Sequence, residues 1–336
     1  MFPFLRRFLV SSFSATSATF GAEPIKSFKP PYDSVGKIER FAPALDELIP
    51  RDAKIEKLAE GFNWSEGPAW WPSGQALIFS DVPENVAYRW NEEDGVTVFL
   101  KPSGFTGEKF EGSEPGSNGI TVDTQGRLVF CQHGDRRVAR YDPAKKIFEA
   151  VADRFEGKRF NSPNDLCFDR AGNVYFTDPP YGMETNAKSE IGFNGVYRAT
   201  PDGKVTLITN ELERPNGIAL SPDERTLYVA NSHRPRPILL AIALHEDGTP
   251  GESHVLFDMT TLMKLGRPGV PDGFRVDREG NLWATGPGGV LILNPEGKHL
   301  GTIVTGQATA NCTFGPDGRE LYITADGELL RVRLKE

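Results

Sequence analysis

Six times along this 336-residue chain the same short pattern returns. A polar residue leads an alternating apolar run, a turn containing Gly or Asp follows, and a second run rich in Tyr, Phe, Val or Trp completes the unit. From Glu66 the chain reads EGPAWWPSGQALIFSDV, and from Asn118 NGITVDTQGRLVFCQHG. From Asn164 it reads NDLCFDRAGNVYFTDPP, and from Asn216 NGIALSPDERTLYVANS. The last two units begin at Asp272, DGFRVDREGNLWATGPG, and at Asn311, NCTFGPDGRELYITADG. Their starts are 52, 46, 52, 56 and 39 residues apart. Two apolar runs around such a turn form a hairpin signature, and paired strands recurring at about 40–50 residues are the mark of propeller blades.

Further strand-like runs follow most units, such as RVARYDP, GVYRATP, LLAIALH, GVLILNP and LLRVRLK. They supply the outer halves of four-stranded blades. The expected fold is therefore all-β, a six-bladed β-propeller over residues 54–336 with a central metal site. Radial blades leave only short strand edges and enclose a channel. A two-layer β-sandwich is the runner-up, but it leaves the six similar units unexplained. Residues 55–59 are placed to pair into the last blade and close the ring.

Residues 23–53 are dotted with proline and read as an N-terminal linker. One helical turn is expected over 44–48, with Pro43 at the tolerated first position and Pro50 ending it. Residues 1–22 carry Arg6 and Arg7 ahead of an apolar and then small-residue stretch, the layout of a signal peptide. That predicts a periplasmic or secreted protein; without the signal it would be cytoplasmic. The stretch is too polar for a membrane span, so no membrane partner is expected. A formal net charge of −8 excludes the basic footprint of a nucleic-acid binder. Three widely spaced cysteines, Cys131, Cys167 and Cys312, form neither a disulfide framework nor a structural zinc motif. Cys131 and Cys167 read as small buried hydrophobes.

If the first strand of each unit is innermost, Glu66, Asn118, Asn164, Asn216, Asp272 and Asn311 gather at one mouth of the channel. Asn-Gly and Asp-Gly pairs are also turn formers, because both residues tolerate positive φ. Glu66, a poor turn residue, nevertheless occupies the same slot, and Asn164 is followed by Asp165 rather than glycine. Carboxylate and amide oxygens suit a hard divalent cation. The adaptable shell of Ca²⁺ favours it over Mg²⁺ when ligands come from separate blades. Zn²⁺ is a further alternative, although no Cys or His starts a unit, which counts against a soft metal.

The stretches SEGPAWW, CQHGDRRVARYD, GKRFNSPNDLCFD, YFTDPPYG, RPNGIALSPDERTLYVANS, PDGFRVDREGNLWATGPGG and NCTFGPDG resemble the gluconolactonase/regucalcin family over residues 55–336. The resemblance implies a six-bladed propeller with a channel metal, usually Ca²⁺, that hydrolyses a sugar lactone. The family's metal glutamate matches Glu66, and its two metal or substrate asparagines match Asn164 and Asn216. Its metal aspartate, also proposed as the catalytic base, matches Asp272. Asn118 has no clear counterpart in regucalcin-like members. The segment 159–164 is longer than in the animal members, so no role carries over to Arg159 or Asn161.

A lactone is a cyclic ester: a cation can polarise its carbonyl, and a carboxylate can take a proton from the attacking water. Asp272 is the candidate base. Glu66, Asn164, Asn216 and Asp272 are the candidate metal ligands, and Asn118, His133, Asn164 and Tyr181 the candidate substrate contacts. His133 either reaches the channel or is a satisfied structural histidine, and Tyr181 either lines the pocket or belongs to a rigid Pro-Pro-Tyr-Gly loop. Arg136 and Arg137 read as ion-pair residues, and Trp70 and Trp71 as blade core. No G-x-S-x-G elbow supports a serine-hydrolase route. A non-catalytic propeller that binds a ligand or partner around a structural cation is the competing function, since fold alone does not fix activity.

Overall fold

A computed structural model describes residues 24–335. The signal peptide expected over 1–22 lies outside the described residues. Each repeat folds as foreseen, its two runs forming the inner hairpin of a blade and the following runs the outer half. Blade 1 comprises Ser65–Trp71, Ala76–Asp81, Val86–Asn91 and Gly95–Leu100. Blades 2, 3 and 4 repeat this meander from Ser117–Val122, Leu166–Phe168 and Pro215–Leu220. Blade 5 starts at Phe274–Val276 and blade 6 at Thr309–Phe314.

Because each blade packs against two neighbours, both faces of its central strands are apolar. In Thr226–Asn231 of blade 4, Leu227 and Val229 enter the core shared with blade 3. Tyr228 and Ala230 enter the core shared with blade 5. Alternate residues of a strand point to opposite faces, so one run serves two cores. Six apolar clusters result, one between each pair of neighbouring blades. Each fully buried large side chain contributes about 1.5–3 kcal/mol. Cys131 and Cys312 sit in two of these cores, and Cys167 packs at the edge of a third.

The ring closes where the sequence placed the closure. Ile55–Glu60 pairs antiparallel with Glu328–Arg333, completing blade 6 with a strand from the start of the chain. The segment expected to be a linker is laid on the ring. Lys37–Arg40 adds a fifth strand to blade 5 beside His299–Val304, while Lys26–Ser27 and Ser34–Val35 pair with the closing strand. The expected helical turn is present as Leu45–Leu48, with Leu45 buried in the core between blades 5 and 6.

Arg331 locks this closure. Its buried guanidinium bonds Glu56 of the closing strand at 2.7 Å, Glu320 of blade 6 at 3.2 Å and Glu92 of blade 1 at 3.0 Å. Removing the arginine leaves three partly exposed carboxylates side by side without their shared cation. Arg331→Leu should therefore lose about 1.5–3 kcal/mol, read as a lower urea midpoint; an unchanged midpoint would show that strand pairing alone holds the ring.

Candidate functional site

The six leading residues converge on one mouth of the channel, four of them inside their innermost strands rather than ahead of them. Glu66, Asn118, Asn216 and Asn311 lie within the first residues of their innermost strands; Asn164 and Asp272 lie ahead of theirs. Strand register breaks there, between Glu66 and Ala69, Pro215 and Ile218, and Thr309 and Asn311. Such a bulge re-aims a side chain at a sheet rim.

The glycines that follow have a second reason. Gly119, Gly217 and Gly273 do not adopt positive φ. A Cβ at Gly119 would lie 2.6 Å from the Asn164 carbonyl oxygen, at Gly217 2.3 Å from that of Asp272, and at Gly273 2.0 Å from the Asn311 side chain. The next blade leaves no room for any side chain. Across these contacts the Gly119 N–H donates to Asn164 O at 2.7 Å, and the Gly273 N–H to Ala310 O at 2.8 Å. Second-strand hydroxyls add to them: Ser80 donates to Asn118 O at 2.9 Å and Thr177 to Asn216 O at 2.6 Å.

A further repeated device escaped the sequence reading. The last residue of the second strand holds the loop that leads to the site. Asp81 accepts the N–H groups of Asn63 and Trp64, at 3.0 and 3.1 Å. Asp178 accepts those of Asn161 and Ser162, both at 2.8 Å, and Asn231 accepts that of Arg214 at 2.9 Å. The recurring polar ends of IFSD, YFTD and YVAN were its signal. Burial pushes Asp81 up to about 6 and Asp178 to about 7 despite these donors.

At the mouth itself all six leading residues are buried. Glu66 accepts the Gly67 N–H at 2.9 Å. Asn216 Nδ2 donates to Ser232 Oγ at 2.9 Å. Asn164 Nδ2 lies 3.4 Å from His133 Nε2. Two acceptor oxygens, Asn164 Oδ1 and Asp272 Oδ1, are buried without a hydrogen-bond partner. Burial, reinforced by the charges of Glu66, Asp165 and Glu114, holds the Asp272 carboxyl well above the usual range. Burial likewise raises Glu66, with Asp165 and Glu114 adding to it. Among the described residues no three His, Cys, Asp or Glu side chains converge as a metal cluster, so a cation here would draw on amide oxygens as well. Orphaned oxygens beside two mutually repelling buried carboxylates fit a hard divalent ion.

Asn311 shares the repeat position and stands beside Glu66, but its amide also reaches Asp165. Its Nδ2 lies 3.4 Å from Asp165 Oδ2, and its Oδ1 accepts the Cys312 N–H at 2.9 Å. Arg275 Nη1 stands 3.6 Å from Asp165 and also donates to the Phe274 carbonyl at 2.8 Å. Asp165, in the slot that is glycine in four other units, thus pairs with Arg275 and engages Asn311.

Two long loops wall the mouth, residues 101–116 and 179–194. They are joined by the Thr185 N–H donating to Glu111 O at 2.8 Å. Tyr181, on the second loop, has its ring 5.3 Å from the Arg214 guanidinium and its hydroxyl beside Ser232 and Asn216. Burial pushes that phenol up to about 12, so it stays a donor. His133 is fully buried, with Gly182 packed against it, and presents no surface to a substrate. Arg136 donates to the carbonyls of Phe160 and Asn161 and faces Glu190, while Arg137 bonds Gln132 and Asp135. Both therefore brace loops rather than face the channel.

Fold and site together define a six-bladed propeller with an oxygen-lined centre at one end of its channel. Residues 64–327 match the SMP-30/Gluconolactonase/LRE-like region family, and the chain belongs to that family. A gluconolactonase from Zymomonas mobilis is 41% identical over 334 residues, covering 97% of this chain and 94% of its own. A solved gluconolactonase structure from Xanthomonas campestris superposes with a TM-score of 0.79 at 34% identity, over 94% of this chain and 99% of its own. A calcium-binding regucalcin from Agrobacterium tumefaciens shares the fold, with a TM-score of 0.64 at 22% identity over 82% and 92% of the two chains.

Two variants test how the site is built. Gly217→Ala drives a Cβ onto the Asp272 carbonyl and should cost about 1–3 kcal/mol; urea unfolding with wild-type stability would refute the close-approach argument. Asp178 has a folded pKa above that of the unfolded chain, so the native state holds an extra proton between the ordinary 3.8 and about 7. Its contribution is fully present below that window and is lost as the pH rises through about 7. Asp178→Asn should flatten this part of the stability–pH curve; an unaltered curve would assign the slope to other groups.

Proposed function

We propose that this protein hydrolyses a sugar lactone of the aldonolactone type, with a divalent cation held by Glu66, Asn164, Asn216 and Asp272. Ca²⁺ is the ion favoured, because the donors are oxygens spread over blades 1, 3, 4 and 5. The observation that carries the reading is the pair of orphaned oxygens, Asn164 Oδ1 and Asp272 Oδ1, in a chain 41% identical to a gluconolactonase over nearly its full length.

When bound, the cation supplies positive charge that polarises the lactone carbonyl and steadies the oxyanion. The chain does the rest. Asp272 is the base, its free Oδ1 able to accept a proton from water. Asn118 and the protonated Tyr181 hydroxyl are suited to the several hydroxyls of a sugar acid. The joined loops 101–116 and 179–194 limit water at the mouth. Residues 1–22 support export, and a mature chain starting near Glu23 would be its signature in N-terminal sequencing.

Turnover of glucono-1,5-lactone should vanish on chelation and return with Ca²⁺. Asp272→Ala should lower it by about 10²–10⁴-fold while the melting temperature of the chelated protein stays near wild type or rises, since a buried like charge is removed. A lactone panel that stays inactive with Ca²⁺, Mg²⁺ and Zn²⁺ added would favour the non-catalytic binding propeller instead.

A further inference from the structure

The two ends of the Asn164 carboxamide have different surroundings. Nδ2 lies 3.4 Å from His133 Nε2, whereas Oδ1 is buried with no partner. An amide nitrogen only donates, so His133 Nε2 must be the bare, accepting nitrogen of a neutral imidazole, and the ring proton sits on Nδ1. On that side stands Glu114, its Oε2 3.4 Å from Nδ1. The pair is not aligned as a hydrogen bond in this conformation, for Nδ1 lacks a partner. Glu114 is only half-buried, on the loop 101–116.

His133 has no other evident task. It is fully buried and touches no open part of the channel. Gly182 packs so closely on it that a Cβ there would lie 2.2 Å from the His133 Cβ, and the His133 N–H donates to Gly116 O at 3.1 Å. The ring is thus clamped between the two mouth loops. Were the ring proton on Nε2 instead, Asn164 would turn over to accept it, and an N–H₂ rather than an oxygen would face the channel. The tautomer of one buried histidine decides whether blade 3 offers the site a donor or an acceptor.

We infer that Glu114, acting through His133, holds the Asn164 amide with Oδ1 turned into the channel, so that both are positioning residues for the cation site. This rests on the reading of Asn164 as a ligand given above. Groups behind a ligand that fix its orientation commonly change metal affinity by about 10–100-fold when removed. The relay is carried by hydrogen-bond direction alone and requires no change of protonation.

Two measurements test it. In the metal-free wild-type protein, nitrogen-15 NMR of the imidazole should show His133 protonated on Nδ1; protonation on Nε2 overturns the proposal whatever the metal does. Calorimetric titration with Ca²⁺ then follows four variants whose melting temperatures show that they fold. His133→Leu removes the acceptor and should weaken Ca²⁺ binding by about 10–100-fold. His133→Gln places a carbonyl oxygen near the position of Nε2 and should restore most of the affinity. Glu114→Gln keeps an acceptor for Nδ1–H but discards the charge, so it should bind Ca²⁺ more tightly than Glu114→Ala. Equal losses in the two Glu114 variants would mean that this carboxylate acts only by its charge, which removes it from the relay. Equal affinities in His133→Leu and wild type would remove His133. No Ca²⁺ uptake by wild type would overturn the cation reading itself, and the NMR tautomer would still decide the orientation of Asn164.

Discussion

Everything at the channel mouth follows from how closely neighbouring blades approach there. Gly119 against Asn164, Gly217 against Asp272 and Gly273 against Asn311 leave less space than one methyl group requires. Backbone brought that close and sealed from water must satisfy its polar groups locally. The cross-blade N–H donors of Gly119 and Gly273 and the hydroxyls of Ser80 and Thr177 do so. Bulges at the same places free the leading side chains from the ladder and turn them inward. Dense packing, saturated backbone and an inward polar ring are therefore one structural solution.

That solution concentrates negative charge. Glu66, Asp165 and Asp272 are buried within reach of one another, with Glu114 nearby. Among the described residues Arg275 is the cation paired with them, and its contacts are with Asp165, the Phe274 carbonyl and Asn311. Each buried, unpaired ion costs several kcal/mol. Glu66 and Asp272 respond by resisting ionisation. The same arrangement leaves a negative centre whose oxygens suit a hard divalent ion.

The fold was legible because periodicity carries it. Strand alternation, the repeat spacing and the closing strand are local patterns, and all appear as read. Residues 26–40 escaped because their strands are two to four residues long, too short to show alternation. The turn-like reading of Asn-Gly and Asp-Gly could not be separated in sequence from the true cause, which lies in the neighbouring blade. Asn311 looked equivalent to Asn164, yet its partner Asp165 is 146 residues away. The caps Asp81, Asp178 and Asn231 were visible as polar strand ends, but the N–H groups they accept lie about one hairpin earlier. The charge and hydroxyl inventory of the site could be read; which oxygens remain free could not.

Repetition supplies a scaffold, and its breaks supply the chemistry. Six equal units would give six equal side chains and no preferred direction. This chain instead puts carboxylates on blades 1 and 5, amides on blades 2, 3, 4 and 6, and an aspartate in place of a glycine on blade 3. It also extends two loops, 101–116 and 179–194, that lean together over one side of the mouth. Those loops bring Glu114 and Gly182 to the Asn164 side, and Tyr181 to Ser232 and Asn216 next to Asp272. A molecule entering the mouth would meet the phenol and a carboxylate together, with the Asn164 amide one blade further round the ring. The symmetry of the fold could not create that polarity; the departures from it do.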